Sequence, residues 1–124
     1  MEKKRILLVD DEEELVRAVQ ARLEANDYEV LTAFDGEEGL AKAKEGKLDL
    51  IILDLMLPKM DGYKVCATLK HDARYQKTPI LLFTARASEE DERMGIEECG
   101  ADGYLTKPFE AQIFLKKIKE LMNL

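Results

Sequence analysis

The chain has 124 residues, 46% of them hydrophobic, and a formal net charge of −7. This length and composition suit a single core, so we expect residues 1–124 to form one domain. The acidic balance argues against a nucleic-acid or anionic-membrane surface, both of which reward basic patches. No apolar segment has the length of a membrane span or a signal peptide, so we expect a soluble, cytoplasmic protein that does not contact membranes.

Five short apolar runs predict β-strands. In chain order they cover residues 5–9, 28–33, 48–54, 79–84 and 103–106. The third run, LDLIILD, is apolar at every central position, as expected for a parallel strand that is buried on both faces.

Five segments with helical patterns follow these strands. Two of them open with a capping pattern, in which Asp35 precedes Glu38 and Ser88 precedes Asp91 by three residues. The helix that begins at Ser88 is expected to end near Gly100. Four of the five predicted helices begin near Glu12, Asp35, Gly62 and Ser88, and the last carries Phe114, Ile118 and Leu121 on one face.

This alternation predicts an α/β fold with a parallel sheet and helices on both faces. Ligands of such open sheets bind beyond the carboxyl ends of the strands. Polar side chains stand at four of these ends, and we expect them to converge on one site: Asp10, Asp11, Asp54, Thr84 and Lys107.

The residue types in this group indicate phosphoryl chemistry. Three clustered carboxylates repel one another and need a cation, and oxygen ligands of this kind suit Mg²⁺. A carboxylate can also act as a nucleophile and form an aspartyl-phosphate. Lys107 would neutralise charge on the phosphoryl group, and the hydroxyl of Thr84 would donate a hydrogen bond to it.

Four segments in this order resemble the receiver domains of bacterial two-component response regulators. They are LLVDDE (7–12), LDLMLPKMDG (53–62), FTA (83–85) and YLTKPF (104–109). The resemblance covers essentially the whole chain. It implies the flavodoxin-like (CheY-like) doubly wound fold, with five parallel strands in the order 2-1-3-4-5 between two helical layers.

The resemblance also implies a role for each acid. Asp54 aligns with the phosphoacceptor. Asp10 and Asp11 align with the pair that holds Mg²⁺, Asp11 directly and Asp10 largely through water. Asp54 and the main-chain oxygen of Met56 would complete the metal site.

Four further positions take roles from the same resemblance. Thr84 and Lys107 align with the hydroxyl and the ammonium that contact the phosphoryl group. Tyr104 aligns with an aromatic residue that moves inward together with Thr84, so the two form a switch. The peptide bond before Pro108 is expected to be cis.

The function implied by the resemblance is that of a signalling switch rather than an enzyme with a separate substrate. A sensor histidine kinase or phosphotransfer protein would supply the phosphoryl group, and the chain would catalyse only its own phosphorylation and slow dephosphorylation. The face formed by the fourth helix, fifth strand and fifth helix would then control an output protein or a fused effector domain. A second copy of the chain is a further, phosphorylation-dependent partner, whereas direct binding to nucleic acid is not expected.

Two other functions fit an α/β chain with these residues less well. An aspartate-nucleophile phosphatase for small phosphoesters is the alternative, but its haloacid-dehalogenase-like form needs an acid two positions after the nucleophile, where this chain has Met56. A flavin-binding electron carrier would need a phosphate loop rich in Ser, Thr or Gly after the first strand, and DDEEE stands there instead.

Gly95 lies inside the fourth predicted helix. Glycine within a helix costs roughly 1 kcal/mol relative to alanine. We therefore expect Gly95→Ala to stabilise the fold, and the helix around it to be one of the less stable elements.

Overall fold

The computed structural model describes residues 3–57, 60–85 and 88–124. They contain one five-stranded sheet in which every pair of neighbouring strands is parallel, in the order β2-β1-β3-β4-β5. The predicted α/β fold and strand order are confirmed. The strands are β1 (Arg5–Val9), β2 (Glu29–Ala33), β3 (Leu50–Leu53), β4 (Ile80–Thr84) and β5 (Gly103–Thr106).

One helix follows each strand, and the fourth changes type part-way along. Both predicted caps are present: the Asp35 side chain accepts a hydrogen bond from the Glu38 N–H, and the Ser88 side chain accepts one from the Asp91 N–H. None of the described helices is long and apolar enough to cross a bilayer. The helices are α1 (Glu13–Ala25), α2 (Gly36–Ala43), α3 (Gly62–Lys70), α4 (Glu89–Arg93), continued by a π-helical turn (Met94–Glu98), and α5 (Ala111–Leu121).

The hydrophobic core has two halves, one on each face of the sheet. Successive strand residues point to opposite faces, so Ile51 and Leu53 of β3 belong to one half and Leu50 and Ile52 to the other. Helices α1 and α5 cover the second half, whereas α2, α3 and the end of the π-helical turn cover the first. This burial on both faces explains why β3 is apolar at every position.

The packing around Gly95 contradicts the expectation that alanine stabilises the fold at this position, whereas the low stability of the surrounding helix stays a prediction. Gly95 lies in the π-helical turn and is buried. A Cβ atom there would be 2.6 Å from Cδ1 of Leu82 and 3.4 Å from Cδ2 of Tyr104. Because Leu82 is fully buried in the core, it has little room to move, and tertiary packing outweighs the helix propensity of alanine.

Candidate functional site

The candidate site lies where the carboxyl ends of β1, β3, β4 and β5 meet. Main-chain hydrogen bonds tie the site residues to neighbouring strands. The Asp54 N–H donates to the Val9 oxygen at 3.0 Å, and the Lys107 N–H donates to the Thr84 oxygen at 2.8 Å. The backbone at the site is therefore held by the sheet itself.

The ammonium group of Lys107 is the centre of the site. Its Nζ lies 2.6 Å from Oδ2 of Asp10, 3.1 Å from Oδ2 of Asp54 and 3.3 Å from Oε1 of Glu12. It also lies 4.7 Å from the centre of the Phe83 ring, a cation–π contact. Asp10 is 0% exposed and Asp54 3%, so this cation balances two buried negative charges.

Main-chain donors hold the other oxygen of each buried acid. Oδ1 of Asp10 accepts the Glu12 N–H at 2.8 Å, and Oδ1 of Asp54 accepts the Met56 N–H at 3.1 Å. Each carboxylate is thus fixed at both oxygens, one by the backbone and the other by Lys107. This arrangement orients the groups before any ligand arrives.

The close approach of α3 to Asp54 requires a glycine. A Cβ atom on Gly62 would overlap the carbonyl oxygen of Asp54 and lie 2.5 Å from Cα of Leu55. The Gly62 N–H donates to the Leu55 oxygen at 3.1 Å. Gly62 therefore lets the chain return over the end of β3 and keep Asp54 in place.

Burial and charge act in opposite directions on this cluster. Burial raises the pKa of the Asp10 carboxyl and outweighs the hydrogen bonds from Lys107 and the Glu12 N–H, which lower it. For Lys107, burial lowers the pKa, but the hydrogen bonds and charges of Asp10 and Asp54 outweigh it, so the pKa is raised. Lys107 is consequently an ammonium at neutral pH.

The donor set suits a hard cation. Oxygen atoms from Asp10, Glu12 and Asp54 lie within 4.8 Å of one another. Carboxylate oxygens at this spacing are the ligands that Mg²⁺ uses in proteins. Asp11 is exposed and lies outside this group of described residues, so its role as a direct ligand stays a prediction. The same holds for the main-chain oxygen of Met56.

Three further positions were predicted from the family resemblance. Thr84 is fully buried at the end of β4. Tyr104 is half-buried in β5, in register with Leu82. The peptide bond between Lys107 and Pro108 is cis. The roles of Thr84 and Tyr104 in a switch stay predictions.

A cavity of about 440 Å³ opens beside the ammonium group of Lys107. It borders Lys107 and Glu12 of the cluster, whereas neither Asp10 nor Asp54 lines it. Its lining consists of Glu12, Leu15, Ala85, Lys107, Pro108 and Phe109.

The sequence profile of the response regulator receiver domain family matches residues 6–119. The chain belongs to this family. The recognition made from the four sequence segments is confirmed.

Curated relatives of this receiver include two regulators of gene expression. It is 49% identical, over 97% of its length, to the alkaline phosphatase synthesis transcriptional regulatory protein PhoP of Bacillus subtilis (strain 168). It is 42% identical, over 96% of its length, to the DNA-binding dual master transcriptional regulator RpaA of Synechocystis sp.. The receiver spans 49% of each of these proteins, about half their length.

Solved structures with the same fold include other response regulators. A putative response regulator from Chloroflexus aurantiacus J-10-fl matches 98% of this receiver and 99% of its own chain, with a TM-score of 0.92 and 32% identity. The BeF3-activated DrrB receiver domain matches 98% of this receiver and 99% of its own chain, with a TM-score of 0.87 and 31% identity. The shared fold is thus that of receiver domains.

Three residues that contact the receiver's site were not predicted as part of it. Glu12 contacts Lys107 directly, Phe83 lies beneath the same ammonium group, and Gly62 makes room for the main chain at Asp54. All three stand inside the segments LLVDDE, FTA and LDLMLPKMDG that carried the resemblance. Their positions within those segments could therefore have been used to predict them as part of the site.

Proposed function

We propose that this receiver, as one domain over residues 1–124, is a phosphorylation-controlled switch with Asp54 as its phosphoacceptor. The observation that carries the proposal is the buried contact of Lys107 Nζ with Asp10 at 2.6 Å and with Asp54 at 3.1 Å. It supplies a fixed positive charge beside an oriented carboxylate, which is what transfer of a phosphoryl group requires.

The proposed transfer uses the carboxylate of Asp54 as nucleophile. One of its oxygens forms a bond to phosphorus while the phosphorus–nitrogen bond of a phosphohistidine breaks. The electron pair of that bond stays on the imidazole, which takes up a proton. Lys107 already contacts Oδ2 of Asp54, so it is placed to share its hydrogen bonds with the incoming phosphoryl oxygens, and Thr84 would donate another.

Mg²⁺ is the proposed cofactor, held by Asp10, Asp11, Asp54 and the main-chain oxygen of Met56. The cation would neutralise the negative charge of both the acids and the phosphoryl group. Glu12 competes with Asp11 for this role because its carboxylate belongs to the observed oxygen cluster. Titrating Mg²⁺ against Asp11→Asn and Glu12→Gln distinguishes them: the direct ligand is the residue whose loss weakens metal binding more.

The proposed partners follow from the family and from the nature of the two curated relatives. A sensor histidine kinase or phosphotransfer protein would donate the phosphoryl group. Because the receiver spans about half of two transcriptional regulators, we propose a cytoplasmic output domain or output protein as its target. The surface of α4, β5 and α5 would carry the signal through Thr84 and Tyr104, and the same surface would support a phosphorylation-dependent dimer. No observation favours the alternative of a phosphatase for small phosphoesters.

Labelling with acetyl phosphate tests the proposal. We expect the receiver to incorporate phosphate only when Mg²⁺ is present, and Asp54→Ala to abolish incorporation, as measured by intact-mass spectrometry. Asp72→Asn, at the other edge of the sheet, is the control and should label like the unaltered receiver. Full labelling of Asp54→Ala would disprove the assignment of the phosphoacceptor.

A further inference from the structure

A second cleft lies at the amino-terminal edge of the sheet, at the opposite end of the strands from Asp54. Its volume is about 900 Å³. The segment before β1, the α2–β3 loop, the α3–β4 loop, the start of β5 and the end of α5 form its walls. The proposed phosphorylation site does not use any of these segments.

The cleft is positively charged although the chain is acidic. Five lysine or arginine side chains and three acidic side chains line it, whereas the whole chain has a net charge of −7. Most of the excess negative charge therefore lies elsewhere on the surface. The five cations are Lys4, Lys44, Lys47, Arg74 and Lys77.

Two of the three acids in the cleft are already engaged within the domain. Oδ2 of Asp102 lies 2.8 Å from Nζ of Lys70 and accepts the Ile80 N–H at 2.8 Å. Asp49 accepts the Arg5 N–H at 2.8 Å and lies 4.0 Å from Nζ of Lys4. The ammonium groups of Lys70 and Lys4 offset part of the negative charge of these two carboxylates, and Glu120 is the third acid of the cleft.

Three of the cations are available. Arg74 is held by both oxygens of Asp72, at 3.1 and 2.7 Å. Lys44, Lys47 and Lys77, by contrast, make no ion pair within residues 3–57, 60–85 and 88–124. Lys44 and Lys47 lie between α2 and β3, and Lys77 lies between α3 and β4. Because β3 and β4 pair, these two loops are neighbours.

We propose that this cleft is a docking surface for an extended acidic segment of a partner protein. Charge complementarity supports a negatively charged occupant, because Lys44, Lys47 and Lys77 line one open volume and make no ion pair among the described residues. The cleft is at the upper end of the size range for small-molecule sites and half of its lining residues are charged, which disfavours a compact apolar ligand.

A polypeptide fits the surface better than other anionic partners. Nucleic acid would bring a dense row of phosphates toward a protein whose overall charge is −7, and long-range repulsion would oppose it. A bilayer surface cannot follow a concave wall. An acidic segment of a few residues can enter the cleft without bringing a large negative field.

Docking at this edge would leave the proposed phosphorylation site open. Asp54 follows the carboxyl end of β3, whereas Asp49 of the cleft precedes its amino end. A partner could thus hold the receiver by this cleft before, during and after phosphorylation. The inference does not depend on the proposed phosphoryl chemistry and would survive its failure.

The test uses a capped peptide of four glutamates as the probe and amide chemical shifts of the ¹⁵N-labelled receiver as the readout. We expect shifts in residues 44–49, 74–79 and 120–123, and weaker binding as salt is raised. The double variant Lys47→Glu/Lys77→Glu should bind at least about tenfold more weakly, a loss of about 1.4 kcal/mol.

A matched double variant, Lys64→Glu/Lys116→Glu, controls for net charge. It changes the charge by the same amount on exposed positions of α3 and α5, and we expect it to keep most of the affinity. Equal weakening in both double variants would overturn the proposal, as would an absence of shifts around the cleft. Tighter binding of a ten-nucleotide oligothymidylate at the same residues would also overturn the proposal, because it would identify nucleic acid as the preferred ligand of the cleft.

Discussion

Two largely buried lysines occupy opposite edges of the sheet and differ in what they contact. The side chain of Lys107 is 12% exposed and faces three carboxylates at the carboxyl edge. The side chain of Lys70 is 13% exposed and faces one carboxylate, Asp102, and the main-chain oxygens of Gln76 and Thr78 at the amino edge. The contacts of Lys70 with main-chain carbonyls cannot break unless a loop opens, whereas the carboxylates around Lys107 can also bind another cation. Lys70 is therefore part of the framework, and Lys107 belongs to a site that can exchange ligands.

Two acids show the same contrast between the edges. Asp10 and Asp72 each accept hydrogen bonds from a cation, yet their pKa values move in opposite directions. Burial raises the pKa of Asp10 above its usual 3.8 despite Lys107. The hydrogen bonds from Arg74 lower the pKa of the solvated Asp72 to about 2. Solvent access, rather than the presence of a cation, decides the direction.

The largest difference between the edges should appear when each lysine is replaced by methionine, which keeps the aliphatic stem. We expect Lys107→Met to slow labelling by acetyl phosphate about 10²-fold, the usual cost of losing one donor to a developing charge. Its affinity for Mg²⁺ should stay the same or rise, because the ammonium competes for the same carboxylates. Labelling rates and Mg²⁺ titrations measure both effects, and a large loss of metal affinity would contradict this geometry.

Lys70→Met should have the opposite profile. It removes a charged donor from two carbonyls and a carboxylate, which we expect to cost about 2 kcal/mol in the free energy of unfolding. The value stays modest because Asp102 is 40% exposed and water can replace part of the interaction. Urea denaturation measures the loss. We also expect the folded variant to be labelled at a normal rate. Unchanged stability would show that Lys70 does not stabilise the domain.

Glycine-to-alanine changes extend the comparison to packing. Gly95→Ala should destabilise the domain by about 1–3 kcal/mol, because its new methyl group meets the buried Leu82 side chain. Gly46→Ala is the matched control at the amino edge. Its methyl group would meet only the end of the Arg5 side chain, which can move, so we expect a change within about 0.5 kcal/mol. Thermal or urea unfolding of both variants is the measurement, and stabilisation by Gly95→Ala would contradict the packing.

The smallest expected effect is in the titration of single carboxyl groups. In a ¹³C NMR titration, Asp72 should have a pKa of about 2 and Asp10 a pKa above 3.8. Arg74→Ala should return Asp72 toward 3.8 and leave Asp10 unchanged. Since folding raises the pKa of Asp10, its contribution to stability is fully present below pH 3.8 and is lost as pH rises through its folded-state pKa. An Asp10 that titrates below 3.8 would show that Lys107 outweighs burial.

Most of the fold was predictable because the signals are local. The apolar run at Leu50–Leu53 and the caps at Asp35 and Ser88 each depend on a few neighbouring residues, and the structure has these elements where they were predicted. The meeting of Asp54 with Lys107 was predictable as well, because parallel strands bring their carboxyl ends to one edge. The π-helical turn at Gly95 was not, because it depends on contacts with β4 and β5.

The sequence by itself determined the fold class, the strand order through its family resemblance, and the edge at which the charged residues gather. It did so because side-chain periodicity, caps and strand ends are properties of adjacent residues. Only the tertiary structure decided that Glu12 contacts Lys107 while Asp11 faces solvent, and that the lysines of distant loops share a cleft at the other edge. These outcomes depend on distances and solvent access between residues far apart in the chain, which no local pattern encodes.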